Sequence, residues 1–412
     1  MSKSIFQASR AYAIMIGVVF VIVSGFLMYG SRHPIQNAPV APPSPEPTQI
    51  TNQNPPVQPV ALDQKNSPPV PVSTGELSSI NITQVALKDA DLRSVLQKIG
   101  IQSAMQKLVQ ESNGGSKYDC HTQAHKIGRI GYELYKEKAF PSCDASCHSG
   151  CYHGAMEWFL TEEGTSNLPE KIDGICKLFD TSFGLFECLH GVGHGVLAYL
   201  DYDLPNTIKE CRSLKDSFAQ TSCFGGAFME NVVTGQGQGV GKVDHETPWV
   251  NKTDPLFPCN VIDQSYEVQF QCYQMQTSWM LTLAGYNFDT VAGQCLKAPE
   301  NMITVCYQSF GRDAAGNSLR DPKKILDICK KVPAQADYYD RCVTGAMNVI
   351  VDFWGPALKG QASEFCSMLD PAHKQNCYSG LAGRLHGVFK SPADRKAICD
   401  GFEKEFQNLC AS

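Results

Sequence analysis

The chain has 412 residues, of which 43% are apolar and 18% are charged, a composition that excludes an intrinsically disordered protein. Its formal net charge of −6 gives it no general attraction for nucleic acids, and the sequence contains no basic stripe with interleaved aromatic residues. The composition therefore argues against nucleic-acid binding, and the length allows two ordinary domains or one extended array.

The first 30 residues predict a membrane anchor. Lys3 and Arg10 lie in a short N-terminal segment, residues 1–10, and residues 11–30 then contain no charged side chain. Twenty apolar residues in a helix span about 30 Å, the thickness of the hydrocarbon layer, whereas the core of a cleaved secretory signal is shorter. We therefore predict an uncleaved transmembrane signal anchor with a cytoplasmic N-terminus, because two basic residues precede it and only Arg32 follows closely.

The rest of the chain is predicted to lie on the far side of the membrane, in the periplasm or the extracellular space. A signal peptide cleaved near Gly25 is the alternative to the anchor. All 18 cysteines follow residue 119, and an even number of cysteines in an exported protein favours disulfides, which persist in oxidising compartments.

Residues 31–82 predict a spacer between the anchor and the folded part. Within them, residues 34–74 hold half of the chain's 24 prolines. Such a segment lacks the apolar surface needed to fold and favours extended polyproline II conformations. We expect a disordered linker that holds the rest of the chain away from the membrane.

A helical array is predicted from residue 83 onward. Residues 83–112 show the apolar spacing of a helix, which the sequence Asn-Gly-Gly at 113–115 ends. Beyond this point a cysteine recurs about every 35 residues, with one longer interval that contains a glycine-rich insertion. The recurring cysteines are Cys151, Cys188, Cys223, Cys272, Cys306, Cys342, Cys377 and Cys410.

Each recurring cysteine except Cys151 has another cysteine about a dozen residues before it. We interpret one unit as helix A, which ends near the first cysteine, a turn, and helix B, which begins at the second cysteine. A disulfide then links the two helices, and closing a loop of about a dozen residues stabilises the fold by roughly 2–3 kcal/mol. The predicted pairs are Cys176/Cys188, Cys211/Cys223, Cys259/Cys272, Cys295/Cys306, Cys329/Cys342, Cys366/Cys377 and Cys399/Cys410.

The fold class that follows is all-α. We predict a right-handed solenoid of disulfide-linked αα-hairpins, with an N-terminal helical part at residues 83–200 and C-terminal hairpin repeats at residues 201–412. The layout resembles Sel1-like and tetratricopeptide arrays, in which helical hairpins stack on one another. The resemblance covers the layout alone, because the consensus residues of those families are not recognisable here, and no binding residues are transferred from it.

Four cysteines stand outside the regular pairs. They are Cys120, Cys143, Cys147 and Cys151. Two disulfides among them, for example Cys120 to Cys147 and Cys143 to Cys151, would fix the first helices to one another. A zinc site of mixed cysteine and histidine ligands is the alternative, and an oxidising compartment favours the disulfides.

Glycine recurs three residues after the helix-B cysteine in most units. A glycine inside a helix costs up to about 1 kcal/mol relative to alanine, so its recurrence at one position needs a packing reason. We expect the next helix to approach closely at this point. The glycines are Gly154, Gly191, Gly226, Gly345 and Gly380.

Histidines concentrate in the first part of the array, since six of the ten lie within residues 121–194. The positions two and six residues after the helix-B cysteine are four apart, so they share one helix face. The first two units place histidine or glutamate at both positions, and a further pair with the same spacing follows Cys120. The pairs are His121 with His125, His153 with Glu157, and His190 with His194.

These three pairs predict a metal centre. Packed helices lie about 8–10 Å apart, so imidazoles from consecutive helices can converge on one ion or two. Imidazole ligands favour zinc, copper or iron over calcium or magnesium, and Glu157 is the candidate for a further ligand or a catalytic base. The alternative interpretation is a set of buried histidines that bond to carbonyl groups in a tight, glycine-rich interface.

Three functions are compatible with these features. The first is a metal-dependent enzyme, either a hydrolase or an oxidoreductase. The second is a cell-envelope scaffold without catalytic activity that binds a protein or peptide on its concave face, with Tyr273, Trp279 and Tyr307 as candidate contact residues and with a structural metal or none. The third is a metal capture or delivery protein, which needs an exposed and exchangeable site.

Overall fold

A computed structural model describes residues 80–86, 88–113, 117, 120–179, 181–237, 246–335, 337–354 and 361–410. The regular secondary structure of these residues is entirely helical. The predicted anchor at residues 11–30 and the proline-rich segment at 34–74 lie outside the described residues. Among the helices that the structure describes, none is long and apolar enough to cross a membrane.

The helices are numbered here in chain order. The first eight are α1 (Ile82–Val85), α2 (Asp89–Ser112), α3 (His121–Tyr135), α4 (Gly150–Glu163), α5 (Leu168–Cys176), α6 (Ser182–Tyr199), α7 (Leu204–Arg212) and α8 (Ser217–Gly235). The second eight are α9 (Tyr266–Leu283), α10 (Phe288–Cys295), α11 (Ile303–Asn317), α12 (Pro322–Cys329), α13 (Tyr338–Trp354), α14 (Gln361–Ser367), α15 (Pro371–Val388) and α16 (Pro392–Cys399). Short 3₁₀ segments lie at Lys136–Ser142, Glu300–Met302 and Lys404–Cys410.

Helix α2 covers most of the segment that the sequence predicts as the first helix. It ends where Asn113 adopts a left-handed backbone conformation, with φ of 49°, as the Asn-Gly-Gly sequence predicts. Helix α1 begins at Ile82, the last residue of the predicted linker. An ion pair of 2.8 Å between Asp89 and the buried Arg129 holds α2 against α3.

Short and long helices alternate from α5 to α8 and again from α9 to α16, and disulfides link successive elements. Helix α5, for example, ends at Cys176, which is bonded to Cys188 in α6 with 5.7 Å between the two Cα atoms. The described residues contain no free cysteine. The disulfides are Cys120–Cys147, Cys143–Cys151, Cys176–Cys188, Cys211–Cys223, Cys259–Cys272, Cys295–Cys306, Cys329–Cys342, Cys366–Cys377 and Cys399–Cys410.

The long helices begin one to two turns before the position that the sequence analysis assigned to them. Helix α6 begins at Ser182 and helix α8 at Ser217, whereas the predicted starts were the cysteines Cys188 and Cys223. The reason is the helix caps: the Thr181 side chain accepts a hydrogen bond from the amide of Gly184, and Asp216 accepts one from Ala219 in α8. The disulfides therefore attach to the body of each long helix and not to its first residue.

Six long helices follow one another around a central space. Helices α6, α8, α9, α11, α13 and α15 each contact the next in this order, and α15 returns to contact α6. At this last contact, the Arg384 guanidinium lies 5.4 Å from the centre of the Phe183 ring, and a Cβ at Gly387 would lie 3.2 Å from the Ser182 hydroxyl. The structure thus supports an all-helical array with disulfides between successive helices, and it does not confirm the predicted right-handed solenoid.

Reciprocal glycine contacts join three pairs of long helices. In the pair α11/α13, a Cβ at Gly311 would lie 1.8 Å from the carbonyl oxygen of Cys342, and a Cβ at Gly345 would lie 1.9 Å from that of Gln308. Any side chain at these positions would collide with the neighbouring backbone, so the two helices contact each other at their backbones. The three glycine pairs are Gly128 with Gly154, Gly193 with Gly226, and Gly311 with Gly345.

The aromatic residues proposed for a concave binding surface are buried. Tyr273 and Tyr307 are fully inaccessible and Trp279 is 4% exposed. The Tyr307 hydroxyl donates to the carbonyl of Ala292, and the Trp279 indole donates to that of Asn251, both at 2.9 Å. The expectation that these rings contact a partner is wrong, because they pack between the helices.

Candidate metal centre

Three long helices and one turn place six imidazoles side by side. Helix α3 supplies two of them, the turn before α4 supplies one, α4 supplies one and α6 supplies two. Neighbouring ring centroids are separated by 4.6 to 5.7 Å. The six residues, called the histidine cluster below, are His121, His125, His148, His153, His190 and His194.

Glycines in adjacent helices allow this close approach. A Cβ at Gly154 would lie 2.0 Å from the carbonyl oxygen of His125, and a Cβ at Gly226 would lie 1.8 Å from that of His190. Contacts this short cannot be relieved without separating the helices. Two of the recurring glycines that the sequence analysis assigned to packing, Gly154 and Gly226, thus bring a neighbouring helix against a histidine-bearing backbone.

The turn before α4 has an unusual backbone. Cys147, His148 and Ser149 have φ angles of 53°, 53° and 55°, a left-handed region that residues other than glycine rarely occupy. The disulfide from Cys147 to Cys120, the residue before α3, holds this turn against the start of that helix. As a result, the carbonyl oxygen of Cys147 lies 2.9 Å from Nδ1 of His121.

His121, His125 and His153 are the group that can hold a metal ion. Each residue offers one ligand nitrogen, and the three nitrogens lie within 4.8 Å of one another. His125 is 2% exposed and His153 is fully buried. Zinc–nitrogen bonds are about 2.0–2.1 Å long, so small rotations of these rings bring three nitrogens to one ion.

Hydrogen bonds determine which nitrogen of His121 carries the lone pair. The carbonyl of Cys147 can only accept, so Nδ1 of His121 donates to it and Nε2 is left as the basic atom. Nε2 of His121 lies 3.1 Å from Nε2 of His125. In the metal-free protein Nε2–H of His125 therefore donates to His121, and Nδ1 of His125 is buried without a partner among the described residues.

A carboxylate orients His194 in the same way. Burial alone would raise the pKa of Glu230, but hydrogen bonds from His194, Tyr202 and Thr234 hold it below its usual value, so Glu230 is ionised. Its Oε2 accepts from Nδ1 of His194 at 2.9 Å. Nε2 of His194 is buried without a described partner and faces the cluster, the arrangement found where a carboxylate supports a metal-binding imidazole.

Burial keeps three of the imidazoles neutral. Desolvation, followed by repulsion from neighbouring histidines, lowers the pKa of His125, His153 and His190 well below the usual value of 6.5. Neutral imidazole is the form that binds metals. Leaving a buried polar atom without a partner costs about 1–3 kcal/mol, and an ion would satisfy several at once. The buried nitrogens without a described partner are His125 Nδ1, His153 Nδ1, His190 Nδ1 and His194 Nε2.

Two further carboxyl groups border the cluster. Burial, together with the nearby charge of Glu230, raises the pKa of Glu157 to about 8, and its Oε2 has no partner among the described residues. Burial also raises the pKa of Glu187 to about 8, and its Oε2 lies 2.9 Å from Nε2 of His153. Sequence reasoning missed Glu187, although it precedes His190 by three residues and therefore shares its helix face.

The structure places the other predicted ligands beside the three-histidine group and not within it. Nε2 of His190 lies 3.3 Å from the Met229 sulfur, so this ring is directed towards α8. His194 and Glu157 border the group from α6 and α4. The alternative of a mixed cysteine–histidine zinc site is wrong, because Cys120, Cys143, Cys147 and Cys151 are consumed in disulfides.

Comparisons with known proteins give this centre no precedent. The chain matches no protein-family model, no curated protein and no solved structure. A function for this centre is therefore inferred from the geometry of its own residues.

Proposed function

We propose that the protein is a metalloprotein in which His121, His125 and His153 bind a transition metal ion, either zinc, copper or iron. The observation that carries this proposal is the convergence of three imidazole nitrogens within 4.8 Å of one another, two of them on the buried residues His125 and His153. Nitrogen ligands in this number favour a transition metal over calcium or magnesium, which take oxygen ligands.

We further propose that the ion is catalytic, in a hydrolase or an oxidoreductase. Structural zinc sites are usually closed by four protein ligands, whereas three histidines leave a position for water or substrate. Glu157 supports this assignment, because a carboxyl group with a pKa of about 8 and a free Oε2 can exchange protons near neutral pH. A scaffold role has less support, since the aromatic residues expected to contact a partner are buried. Metal delivery also has less support, because His125 and His153 are buried and His121 is only partly exposed.

The cellular setting is part of the same proposal. Residues 11–30 anchor the chain in a membrane with the N-terminus in the cytoplasm, and the linker carries the helical array into the periplasm or the extracellular space. Nine disulfides in the described residues support an oxidising compartment. The right-handed solenoid stays a prediction.

Metal analysis of the full-length protein tests the centre. The protein is produced without a histidine tag, purified in mild detergent and analysed by mass spectrometry for transition metals. We expect about one equivalent of one metal, retained through gel filtration. In the double variant His125→Ala/His153→Ala we expect less than about a tenth of this amount, because two of the three ligands are lost.

The matched control is His386→Ala, which removes an exposed histidine on α15 that is not part of the histidine cluster. It should keep the full metal content. Equal metal content in the double variant and the control, with both folded by circular dichroism, would overturn the proposal. So would a wild-type protein that holds no metal after incubation with zinc, copper(II) or iron(II).

A further inference from the structure

The six long helices that close on one another enclose a pocket of about 240 Å³. Each of them contributes to its wall, from Phe186 on α6 to Arg384 on α15. His148 and His190 belong both to this wall and to the histidine cluster. The pocket therefore lies directly beside the candidate metal centre.

The wall is built from the same repeat positions that carry histidines earlier in the chain. At two and six residues after the helix-B cysteine, the later units place Gln274, Gln308, Arg312 and Asn348 in the pocket. The side chains of Gln274, Gln308 and Asn348 make no hydrogen bond to any described residue. Each carboxamide has both donors and an acceptor, so the wall has unused hydrogen-bonding capacity for a ligand.

His190 adds a buried polar group to this wall. It is 3% exposed, its Nδ1 has no partner among the described residues, and its Nε2 contacts only the sulfur of Met229, a weak acceptor. A buried imidazole without an oxygen or nitrogen partner is costly in a folded protein. Because it lines the pocket, a bound molecule can supply the missing hydrogen bond.

The charges of the wall favour an anionic ligand. The guanidinium of Arg384 is fully engaged, since it forms a two-pronged ion pair with Asp352. Glu187 is held by the histidine cluster, since its Oε2 lies 2.9 Å from Nε2 of His153. Arg312 is the other cationic side chain on the wall, and no carboxylate of the wall is paired with it.

Two nitrogens of the Arg312 guanidinium have no oxygen acceptor among the described residues. Its Nη2 binds the Ser278 hydroxyl at 2.6 Å and Asp313 at 2.9 Å, but Nη1 meets only the sulfur of Met275, and Nε has no described partner. Asp313 is not part of the pocket wall, and its oxygens also accept hydrogen bonds from Thr277 and Ser278. An incoming oxyanion therefore offers this guanidinium a better acceptor than the thioether that it now contacts.

We propose that this pocket binds a small organic carboxylate, with the carboxylate group on Arg312 and the other polar atoms on Gln274, Gln308 and Asn348. The volume is below the roughly 300–1,000 Å³ of sites for drug-sized molecules, so the ligand is a small acid. Phe186 and Phe270 supply the apolar part of the wall. The inference is independent of the metal, since no contact in it involves His121, His125 or His153.

Calorimetric titration of the full-length protein tests the pocket. The probes are acetate, lactate, succinate and benzoate, each paired with its neutral amide. At least one acid is expected to bind with a dissociation constant below about 1 mM, and its amide at least tenfold more weakly, because only the acid carries a charge for Arg312. Binding of no acid, or equal binding of acids and amides, would contradict the proposal.

Variants locate the binding in the pocket. Gln308→Glu keeps the side-chain size and adds a negative charge, so acid binding should weaken at least tenfold, and Arg312→Gln should weaken it by a similar factor. The matched control is Gln375→Glu, on the exposed face of α15, which should bind the acid as the wild type does. An unchanged dissociation constant in Gln308→Glu would overturn the assignment, even if Arg312→Gln fails to fold.

Titrations with chelator-treated and metal-loaded protein separate this inference from the metal centre. The acid should bind in both states. Binding only to the metal-loaded protein would show that the acid coordinates the ion, and the pocket assignment would then be wrong. The His125→Ala/His153→Ala variant should lose metal while it keeps acid binding, so the two proposals fail by different results.

Discussion

The first long helices and the later ones use the same two positions of the repeat for different purposes. In α4 and α6 these positions hold His153, Glu157, His190 and His194, whose side chains pack into a buried cluster. In α9, α11 and α13 they hold mainly amides and an arginine, which surround an open pocket. The repeat therefore determines which face of each helix points inward. The residues on this face determine whether they form a histidine cluster or line a pocket.

The backbone does not explain this difference, because both regions share the same helix contacts. Reciprocal glycines join α6 to α8 beside the histidine cluster, and another such pair joins α11 to α13 beside the pocket. The helix pairs are thus equally close in the two regions. The two regions therefore differ in the side chains on their inward faces, and measurements on variants of each region can test this difference.

Metal loading should stabilise the protein through the histidine region alone. At a free metal concentration a thousand times the dissociation constant, the free energy of unfolding should rise by about 4 kcal/mol, because the ion binds only the folded state. Urea denaturation with and without metal measures the gain. The gain in the free energy of unfolding should disappear in His125→Ala/His153→Ala and persist in Gln308→Ala. A gain that remains after loss of the two histidines would refute their assignment as metal ligands.

Glycine-to-alanine changes should destabilise both regions equally. Gly154→Ala and Gly345→Ala each place a methyl group within 2.0 Å of a carbonyl oxygen, which should cost about 3 kcal/mol in urea denaturation. Metal affinity should fall only in Gly154→Ala, because this change pushes apart the helices that carry the ligands His125 and His153. The control Gly293→Ala has no atom within 4 Å of the new methyl and should be neutral or stabilising by up to about 1 kcal/mol.

The pH dependence of stability should have opposite signs for two residues of the metal-free cluster. Burial lowers the pKa of His190 in the folded state, so only the unfolded chain binds a proton below about pH 6.5. The stability advantage of wild type over His190→Gln should therefore shrink by about 1.4 kcal/mol per pH unit as the pH falls below 6.5. For Glu187 the folded-state pKa is about 8, above the unfolded value of 4.5.

The advantage of wild type over Glu187→Gln is thus complete below pH 4.5 and should be lost as the pH rises towards 8. Denaturation of the three proteins at several pH values, with a chelator present, measures both slopes. Slopes of the same sign for His190→Gln and Glu187→Gln would show that burial does not control both groups.

The smallest expected effects come from helix caps, which should again be equal in the two regions. Asp203 caps α7 and Asp321 caps α12, and each accepts hydrogen bonds from amides of the first turn. Asp203→Ala and Asp321→Ala should each lower the free energy of unfolding by about 1 kcal/mol. Asp370 precedes α15 without a side-chain cap hydrogen bond, so Asp370→Ala should leave the denaturation midpoint nearly unchanged.

The hairpins could be predicted because cysteine spacing is a local signal. The sequence distance between Cys211 and Cys223 is short enough that the pairing needs no knowledge of the rest of the fold. Helix starts were misplaced because the capping residues Thr181 and Asp216 lie in segments read as connectors. The closure of α15 onto α6 could not be predicted, since it depends on small rotations between hairpins that accumulate over the whole array.

The candidate site was predictable in its residue types and only in part in its geometry. The spacing of four placed His121 and His125 on one face, and the glycine pattern indicated that their helix has a close neighbour. Which histidines share an ion depends on side-chain rotamers, so His190 could not be separated from the ligand group by spacing. Glu187 and Glu230 were not among the predicted ligands, because Glu230 lies one residue after the repeat positions that were compared and Glu187 lies three residues before them.

The order of the cysteines along the chain has a consequence for how the protein matures. From Cys176 onward every disulfide joins a cysteine to the next one in the chain, so oxidation in order of emergence gives native bonds directly. The first two bonds interleave, and oxidation in that order would instead join Cys120 to Cys143. Thiol–disulfide exchange must then correct this bond before the imidazoles can meet. Alkylation and peptide mapping during refolding should detect the Cys120–Cys143 species early and find it gone once metal is bound.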